Sequence, residues 1–279
     1  MRLTVQIGFT ALTNGYLAGY FKGGIFQGAT KYACVPGLNC YSCPGALGSC
    51  PLGSLQAVIG SRNYGFSFYV VGILGLFGIL LGRFICGWLC PFGLVQDLMY
   101  KIPFIKKLKK LPGDSVLKYL KYVLLGGFVI LLPMIVTDII GNGSPWFCKY
   151  ICPSGTLGAG IPFVVSVGGD IPLGWLFWFK ISVLAVILLL SVIVYRPFCR
   201  YICPLGAIYG LFNRFALYRY KVDSKKCTTC GACTHACKLG IKTYLTPNST
   251  ECIRCGDCIR SCPTGAITSL FSRKEKQNG

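Results

Sequence analysis

Cys227-Thr-Thr-Cys230-Gly-Ala-Cys233-Thr-His-Ala-Cys237 is answered, fifteen residues after its last cysteine, by Cys252-Ile-Arg-Cys255-Gly-Asp-Cys258-Ile-Arg-Ser-Cys262-Pro263. Three closely spaced thiolates reach three irons of one [4Fe–4S] cube, and the fourth cysteine of each run reaches the other cube. The pattern therefore assigns Cys227, Cys230, Cys233 and Cys262 to one cluster, and Cys252, Cys255, Cys258 and Cys237 to a second. Gly231 and Gly256 keep side-chain bulk away from the metal. Zinc sites pair cysteines two by two and would leave the third and fourth of each run unexplained. The first run ends Cys237-Lys238 where Pro is usual, which weakens the turn and not the ligation. His235, the single histidine, lies inside this run and is expected to be exposed, so no b-type haem with axial histidines can be built.

Upstream the composition changes. Of 279 residues, 53% are hydrophobic and only 13% charged, outside the usual range of soluble globular domains. The eighteen cysteines fall in metal-ligand spacings rather than those of a secreted disulfide scaffold. The formal charge of +20 overstates the basicity, because each cube held by four thiolates is itself negative. A hydrocarbon core of about 30 Å needs about 20 helical residues, and four apolar stretches approach that length: 3–21, 65–82, 116–136 and 173–195. No cleavable leader is read in the first of them. The expected fold is a membrane all-α bundle of four transmembrane helices over 1–221, a small C-terminal α+β two-cluster ferredoxin domain of bacterial type over 222–270, and a basic tail over 271–279.

Gln6, Thr10, Thr13 and Asn14 share one face of the first stretch, which suits interhelical hydrogen bonding, with a quinone or flavin site as the sharper alternative. Gly72, Gly75, Gly78 and Gly82 line one side of the second, where a neighbouring backbone is expected to approach. Lys and Arg number eight over 83–122 and fourteen over 196–279, against three over 22–64 and two over 138–180. Cytoplasmic loops retain positive charge, so both termini and the ferredoxin domain are expected in the cytoplasm of a prokaryotic cell, with the protein multi-pass in its membrane. Lys101-Ile-Pro-Phe-Ile-Lys-Lys-Leu-Lys-Lys110 reads as an anchor on anionic membrane lipid.

The other ten cysteines form a repeat. Cys86-Gly-Trp-Leu-Cys90-Pro-Phe-Gly, Cys148-Lys-Tyr-Ile-Cys152-Pro-Ser-Gly and Cys199-Arg-Tyr-Ile-Cys203-Pro-Leu-Gly share C-x3-C-P-x-G, and Cys50-Pro-Leu-Gly and Cys262-Pro-Thr-Gly share its second half. Pro suits the first helical position, and a helix N-terminus favours the negative charge of a thiolate or cluster. The expected topology gathers Cys86, Cys90, Cys199 and Cys203 into an inner-face cluster. On the outer face Cys43, Cys50, Cys148 and Cys152 are the first choice, with Cys34 and Cys40 as alternative ligands or a disulfide. Free buried cysteines are the plain alternative.

In these C-x3-C-P pairs and the double ferredoxin tail, the chain resembles the NapH/NosR-type membrane ferredoxins, polyferredoxin-like partners of periplasmic nitrate and nitrous-oxide reductases. The resemblance runs over most of the chain from Gly65 onward. It implies electron transfer between a quinol pool or cytoplasmic donor and an extracytoplasmic acceptor. The third C-x3-C-P pair and the Cys34–Cys50 group depart from that pattern and favour a wire with metal at both faces. Nothing resembles the flavin-binding domain attached to some relatives.

The leading functional expectation is a conduit of two to four [4Fe–4S] clusters, carrying electrons between a cytoplasmic donor or acceptor protein and an extracytoplasmic redox protein, alongside other membrane subunits. A quinol dehydrogenase subunit and a redox maturation or regulatory protein are the alternatives. Two cubes at opposite faces of a bilayer about 30 Å thick are far apart for tunnelling, so either they dip inward or a quinone, flavin or partner bridges them. Only eight carboxylates exist and none sits mid-span, which disfavours an ion pump; Asp97 and Asp138 read as interfacial. No nucleophile, acid–base pair or phosphate cradle appears, and nothing points to nucleic acid.

Overall fold

Four of the five Cys-Pro pairs upstream of the tail start a helix; Cys43-Pro44 lies in a turn. The computed structural model describes residues 1–61, 68–103, 107–137, 143–166 and 173–269. Within it, Pro51–Gly60, Pro91–Lys101, the helical stretch 153–166 and Pro204–Phe212 each place proline at the first helical position and a cysteine in extended backbone just before it. The missing proline N–H costs nothing there, and the preset φ favours the first turn.

These short helices pack on longer ones. Asp114–Ile135 and Trp175–Ile193 are long and apolar enough to cross a membrane, and most of their residues are unburied. Trp178, Val186 and Leu189 on one and Val123, Leu131 and Met134 on the other are exposed. Phe68–Leu81 is a shorter apolar helix; residues 65–67 of the expected second span lie outside the described residues. Pro51–Gly60 packs on the C-terminal half of Asp114–Ile135, and Pro91–Lys101 packs along Trp175–Ile193. Each long helix is followed by the same wide turn. In Phe147–Ile151 the Cys152 N–H donates to Phe147 O at 3.0 Å, and in Phe198–Ile202 the Cys203 N–H donates to Phe198 O at 2.9 Å. The membrane segment is thus an internal repeat: a Cys-Pro helix, a long helix, and a Phe-Cys-(Lys/Arg)-Tyr-Ile-Cys-Pro turn that meets the Cys-Pro helix again.

Several expectations change. The first span is two helices, Arg2–Thr13 and Ala18–Lys22. The Thr13 hydroxyl donates to Phe9 O and the Asn14 amide to Thr10 O; polar side chains that bond their own backbone compete with helix continuation. They do not bridge to another helix, and the Gln6 amide, buried at 1% exposure, has no hydrogen-bond partner among the described residues. Of the glycine stripe, Gly78 faces Phe212 and Gly82 takes φ +53 beneath Asn213, whereas space around Gly72 and Gly75 is open. Asp97, read as interfacial, is buried within the protein: it is 4% exposed and held by Arg196 (Nε–Oδ1 2.8 Å) and Arg2 (Nη2–Oδ2 3.0 Å). Asp138 and the tail 270–279 lie outside the described residues.

The C-terminal segment is α+β. Tyr220–Val222 pairs antiparallel with Ile267–Ser269, and two short helices, Ala232–Ala236 and Asp257–Arg260, start after Gly231 and Gly256 at φ +76 and +84. A left-handed residue three before each helix, Thr229 and Arg254, repeats the turn. The described part of the basic stretch lies between the two segments: the Leu108 N–H donates to Ile193 O at 3.0 Å, Lys109 Nζ donates to His235 O at 3.1 Å, and Lys109 O accepts from Arg200.

Candidate functional site

None of the eighteen cysteines is in a disulfide, and they gather in groups that run from the exposed tail into the core. At the tail, Cys227, Cys230, Cys233 and Cys262 line one small cavity of about 20 Å³ with Tyr244 and Ile267. Cys262 is brought in by the second run, where the x3 spacing carries it across. Desolvation pushes its thiol up, but the Thr264 hydroxyl and the N–H groups of Ala266, Thr264 and Ile267 outweigh this and hold it below the usual range. Cys252, Cys255, Cys258 and Cys237 form the other group, with Cys252, Cys255 and Cys237 all electrostatic neighbours of Cys258. Burial first, and neighbouring negative charge second, push Cys255 and Cys258 up to about 12. His235 is exposed.

The second group is bolted to the membrane segment through residues 249–254. Glu251 accepts from Arg83 Nη1 at 2.8 Å and pairs with Lys121, both cations at most 1% exposed. Burial alone would raise the Glu251 carboxyl; the two cations reverse this and hold it below the usual range. Asn213 Nδ2 donates to Ser249 O (2.6 Å) and Cys252 O (2.9 Å). Arg254 reaches the other way, to Leu81 O (2.8 Å) and Asn213 O (2.7 Å), while Trp88 Nε1 donates to Arg254 O at 3.0 Å. Gly87 is required at this joint, because a Cβ there would meet the Ile253 carbonyl.

Beneath the joint, Cys86, Cys90, Cys199 and Cys203 are 4–5% exposed and mutual electrostatic neighbours. Two arginines, each three residues before a first cysteine, brace them crosswise: Arg83 Nη2 donates to Cys199 O at 2.7 Å, and Arg196 Nη1 donates to Cys86 O. The glycine of C-P-x-G has two purposes. The Gly206 N–H donates to Cys203 Sγ at 3.4 Å, completing a thiol N-cap. A Cβ at Gly93 or Gly206 would also crowd the guanidinium of Arg196 or Arg83 at 3.3 Å. Gln96 closes the site: its Nε2 donates to Cys199 Sγ at 3.1 Å, and its Oε1 accepts the Phe198 N–H at 3.2 Å.

The same arrangement recurs at the second Cys-Pro helix. Gln56 Nε2 donates to Cys148 Sγ at 3.2 Å and its Oε1 accepts the Phe147 N–H at 3.1 Å. Here Cys40, Cys50, Cys148 and Cys152 line a cavity of about 330 Å³ that Lys180 also reaches. Cys43 bonds Tyr20 (3.1 Å) and lines a separate cavity of about 220 Å³ with Thr10, Asn14 and Phe92, which Cys40 borders too. Cys34 Sγ faces Ser54 Oγ at 3.7 Å.

The residues fit [4Fe–4S] clusters by donor chemistry. Four sulfurs on one zinc at about 2.3 Å would stand about 3.8 Å apart, and among the described residues no three His, Cys, Asp or Glu side chains close on a single ion in that way. Thiols that instead surround a cavity, as Cys40, Cys50, Cys148 and Cys152 do around about 330 Å³, suit a larger inorganic core. When bound, such a core supplies one-electron transfer. Gln56, Gln96 and the crossed arginines were not singled out from the sequence, although the signals are there: Gln six residues after a Cys-Pro cysteine, and Arg three residues before Cys86 and Cys199. Lys180, the one charge inside the fourth apolar stretch, was also legible.

Comparison with known proteins agrees. A family described as "4Fe-4S binding domain" matches residues 62–112, 123–162 and 175–222, and a second of the same description matches 245–268. An uncharacterized protein of Methanocaldococcus jannaschii is 29% identical over 69% of this chain and 74% of its own length. The methylamine utilization ferredoxin-type protein MauN of Methylorubrum extorquens is 28% identical over 67% of the chain and 59% of its own length. The ferredoxin-type protein NapH of Haemophilus influenzae is 30% identical over 59% and 51%. The chain therefore spans little more than half of these named relatives. No solved structure matches it. With a tail and a core both matched by [4Fe–4S] families and with ferredoxin-type relatives, the chain belongs to the NapH/NosR-type family of ferredoxin-type [4Fe–4S] membrane proteins.

Proposed function

We propose that this iron–sulfur electron-transfer protein is a transmembrane conduit between a cytoplasmic redox partner and an extracytoplasmic one. The observation that carries the reading is the unbroken order of thiol groups: exposed Cys230 and its set, the Cys252 set, the core set under Arg83, and the cavity at Cys148. The joint at Glu251 and Arg254 leaves no gap between tail and core. Exposed apolar side chains along both long helices support a lipid surround, and the Lys and Arg excess of 83–122 and 196–279 supports a cytoplasmic tail with a multi-pass topology.

The test uses the full chain in liposomes with the tail outward, dithionite outside and ferricyanide trapped inside. Trapped ferricyanide should be reduced, and Cys199→Ser should stop it. A fully iron-loaded wild type that leaves ferricyanide oxidised would sink the conduit. Quinol oxidation is the second reading, favoured by the 220 Å³ cavity between the N-terminal helix and Pro91–Lys101, with Thr10, Asn14 and Tyr20 on its wall. Reduction of the purified protein's clusters by a soluble quinol decides it.

A further inference from the structure

The internal repeat leaves one ligand unaccounted for. Cys90 corresponds to Cys50, Cys199 to Cys148 and Cys203 to Cys152, as the matched Gln96 and Gln56 hydrogen bonds show. Cys86, four residues before Cys90, corresponds to Ala46, four before Cys50, and Ala46 is fully buried. The second site must therefore take its fourth thiol from elsewhere or hold only three.

Three cysteines precede it, and geometry separates them. Cys34 turns to Ser54, and Cys43 is engaged by Tyr20 and reaches toward Gly158 (3.6 Å from a Cβ built there), one turn beyond the motif glycine. Cys40 Sγ lies at the same distance, 3.6 Å, from the Cβ position of Gly155 itself, the glycine of Cys152-Pro-Ser-Gly. Cys40 also lines the 330 Å³ cavity with Cys50, Cys148 and Cys152, whereas Cys43 does not.

The segment that carries Cys40 touches both sites. Leu38 lines the cavity of about 330 Å³ and its O accepts from Ser154 Oγ at 3.4 Å, while Gly37, one residue earlier, lies against Cys90. Gly37 permits this approach, because a Cβ there would stand 3.1 Å from Leu89 O and 3.2 Å from Cys90 Cα. Tyr209, fully buried, donates to Pro36 O at 2.9 Å and has Cys50, Cys86 and Cys90 as electrostatic neighbours.

We propose that Cys40 completes a second core [4Fe–4S] site with Cys50, Cys148 and Cys152, and that the Gly37–Leu38 segment seats this site directly against the one held by Cys86, Cys90, Cys199 and Cys203. The Cys40 thiol gives up its proton to bind iron, and Lys180 at the cavity wall offsets part of the added negative charge. The inference rests on the conduit reading, in which both core groups are ligands, and it removes the need for a quinone or flavin between them.

Iron and acid-labile sulfide are measured on purified full-length wild type, Cys40→Ser and Cys43→Ser, with reduced-state EPR on the same samples and on Cys203→Ser. About sixteen irons are expected in wild type and Cys43→Ser, and about twelve in Cys40→Ser. Beyond the coupling between the two tail cubes, which persists in every variant, a second spin-coupled EPR component should be present in wild type and Cys43→Ser and lost from both Cys40→Ser and Cys203→Ser. The tail signals, retained in every variant, show that the chain has folded. Full iron in Cys40→Ser, or four irons lost from Cys43→Ser instead, overturns the ligand assignment, and survival of the second coupled component in either single-site variant overturns the close seating of the two core sites. About eight irons in wild type overturns it together with the reading it rests on, whereas full coupling without ferricyanide reduction leaves it standing and sinks only the conduit.

Discussion

The two core thiol groups share a plan and differ in what surrounds it. Both have a Cys-Pro helix, a Gln that donates to one sulfur, and a wide turn that delivers two cysteines. The Cys86 group is clamped by Arg83 and Arg196, covered by residues 249–254, and built from two sequence-local pairs. The Cys148 group has Pro145 where Arg196 stands in the other, a lysine at its wall, and an open cavity of about 330 Å³. Fixed dipoles and cations around a cluster set its potential and its rigidity. The closed group suits a relay that accepts from one docked neighbour, and the open one suits exchange with something outside the chain.

The largest way to break this comparison is to remove one ligand from each group. Cys199→Ser should lower iron from about sixteen to about twelve per chain and end ferricyanide reduction while both tail signals persist. Cys148→Ser should cost the same iron, yet leave the Cys86 group reducible from the tail, as read by EPR after dithionite is added to the tail side. If Cys148→Ser also silenced the Cys86 group, the two would be one site and the comparison would fail.

Next come the clamps. Arg196→Leu strands the buried Asp97 with Arg2 alone, and breaking a buried pair in this way costs about 3–5 kcal/mol. The expected reading is a lowered denaturation midpoint in detergent. Lys180→Met removes a cation that forms no ion pair among the described residues and should move the midpoint by well under half as much. Equal shifts would mean that the closed site is no more tightly built than the open one.

A smaller effect is expected at the joint that only the closed group has. Glu251→Gln keeps the shape but removes the charge that Arg83 and Lys121 share, at a cost of about 1–3 kcal/mol. Hydrogen exchange over 249–254 should quicken, with no change near Cys148. Because the Glu251 carboxyl is held below its usual range, the wild-type joint is intact above the ordinary carboxylate range and loosens as pH falls through the depressed value.

How far the sequence carried this can be judged residue by residue. The tail was legible because its ligands are local: the x2, x2, x3 runs fix the loop and name the partners, and Cys262 does join Cys227, Cys230 and Cys233 around one cavity. The C-x3-C-P repeat likewise announced helix starts. The first span was misread because apolar length says nothing about Thr13 and Asn14 bonding their own helix. The ion pair that buries Asp97 was not legible, because its partner Arg196 lies ninety-nine residues away. The choice among Cys34, Cys40 and Cys43 depends on which loop touches Gly155, and no local spacing encodes a contact across that separation.

The finest test uses the one feature the two groups share. Gln96 and Gln56 each donate to a sulfur at 3.1–3.2 Å while accepting the N–H just before the cysteine. A donor to a thiolate favours the more negative, reduced cluster, so removing it lowers the potential. With about 1.5 kcal/mol for a hydrogen bond to a charged group and 59 mV per tenfold for one electron, Gln96→Leu and Gln56→Leu should each lower their own cluster by up to about 60 mV in an EPR-monitored redox titration. Replacement by Glu separates tuning from support, because Glu keeps the oxygen that holds the Phe198 or Phe147 N–H while losing the donor to sulfur. If Glu restored the wild-type potential, Gln would only be positioning the turn. If instead Glu and Leu shifted Gln96's cluster but left Gln56's unmoved, water entering the open cavity would be replacing the lost donor, which the closed site does not allow.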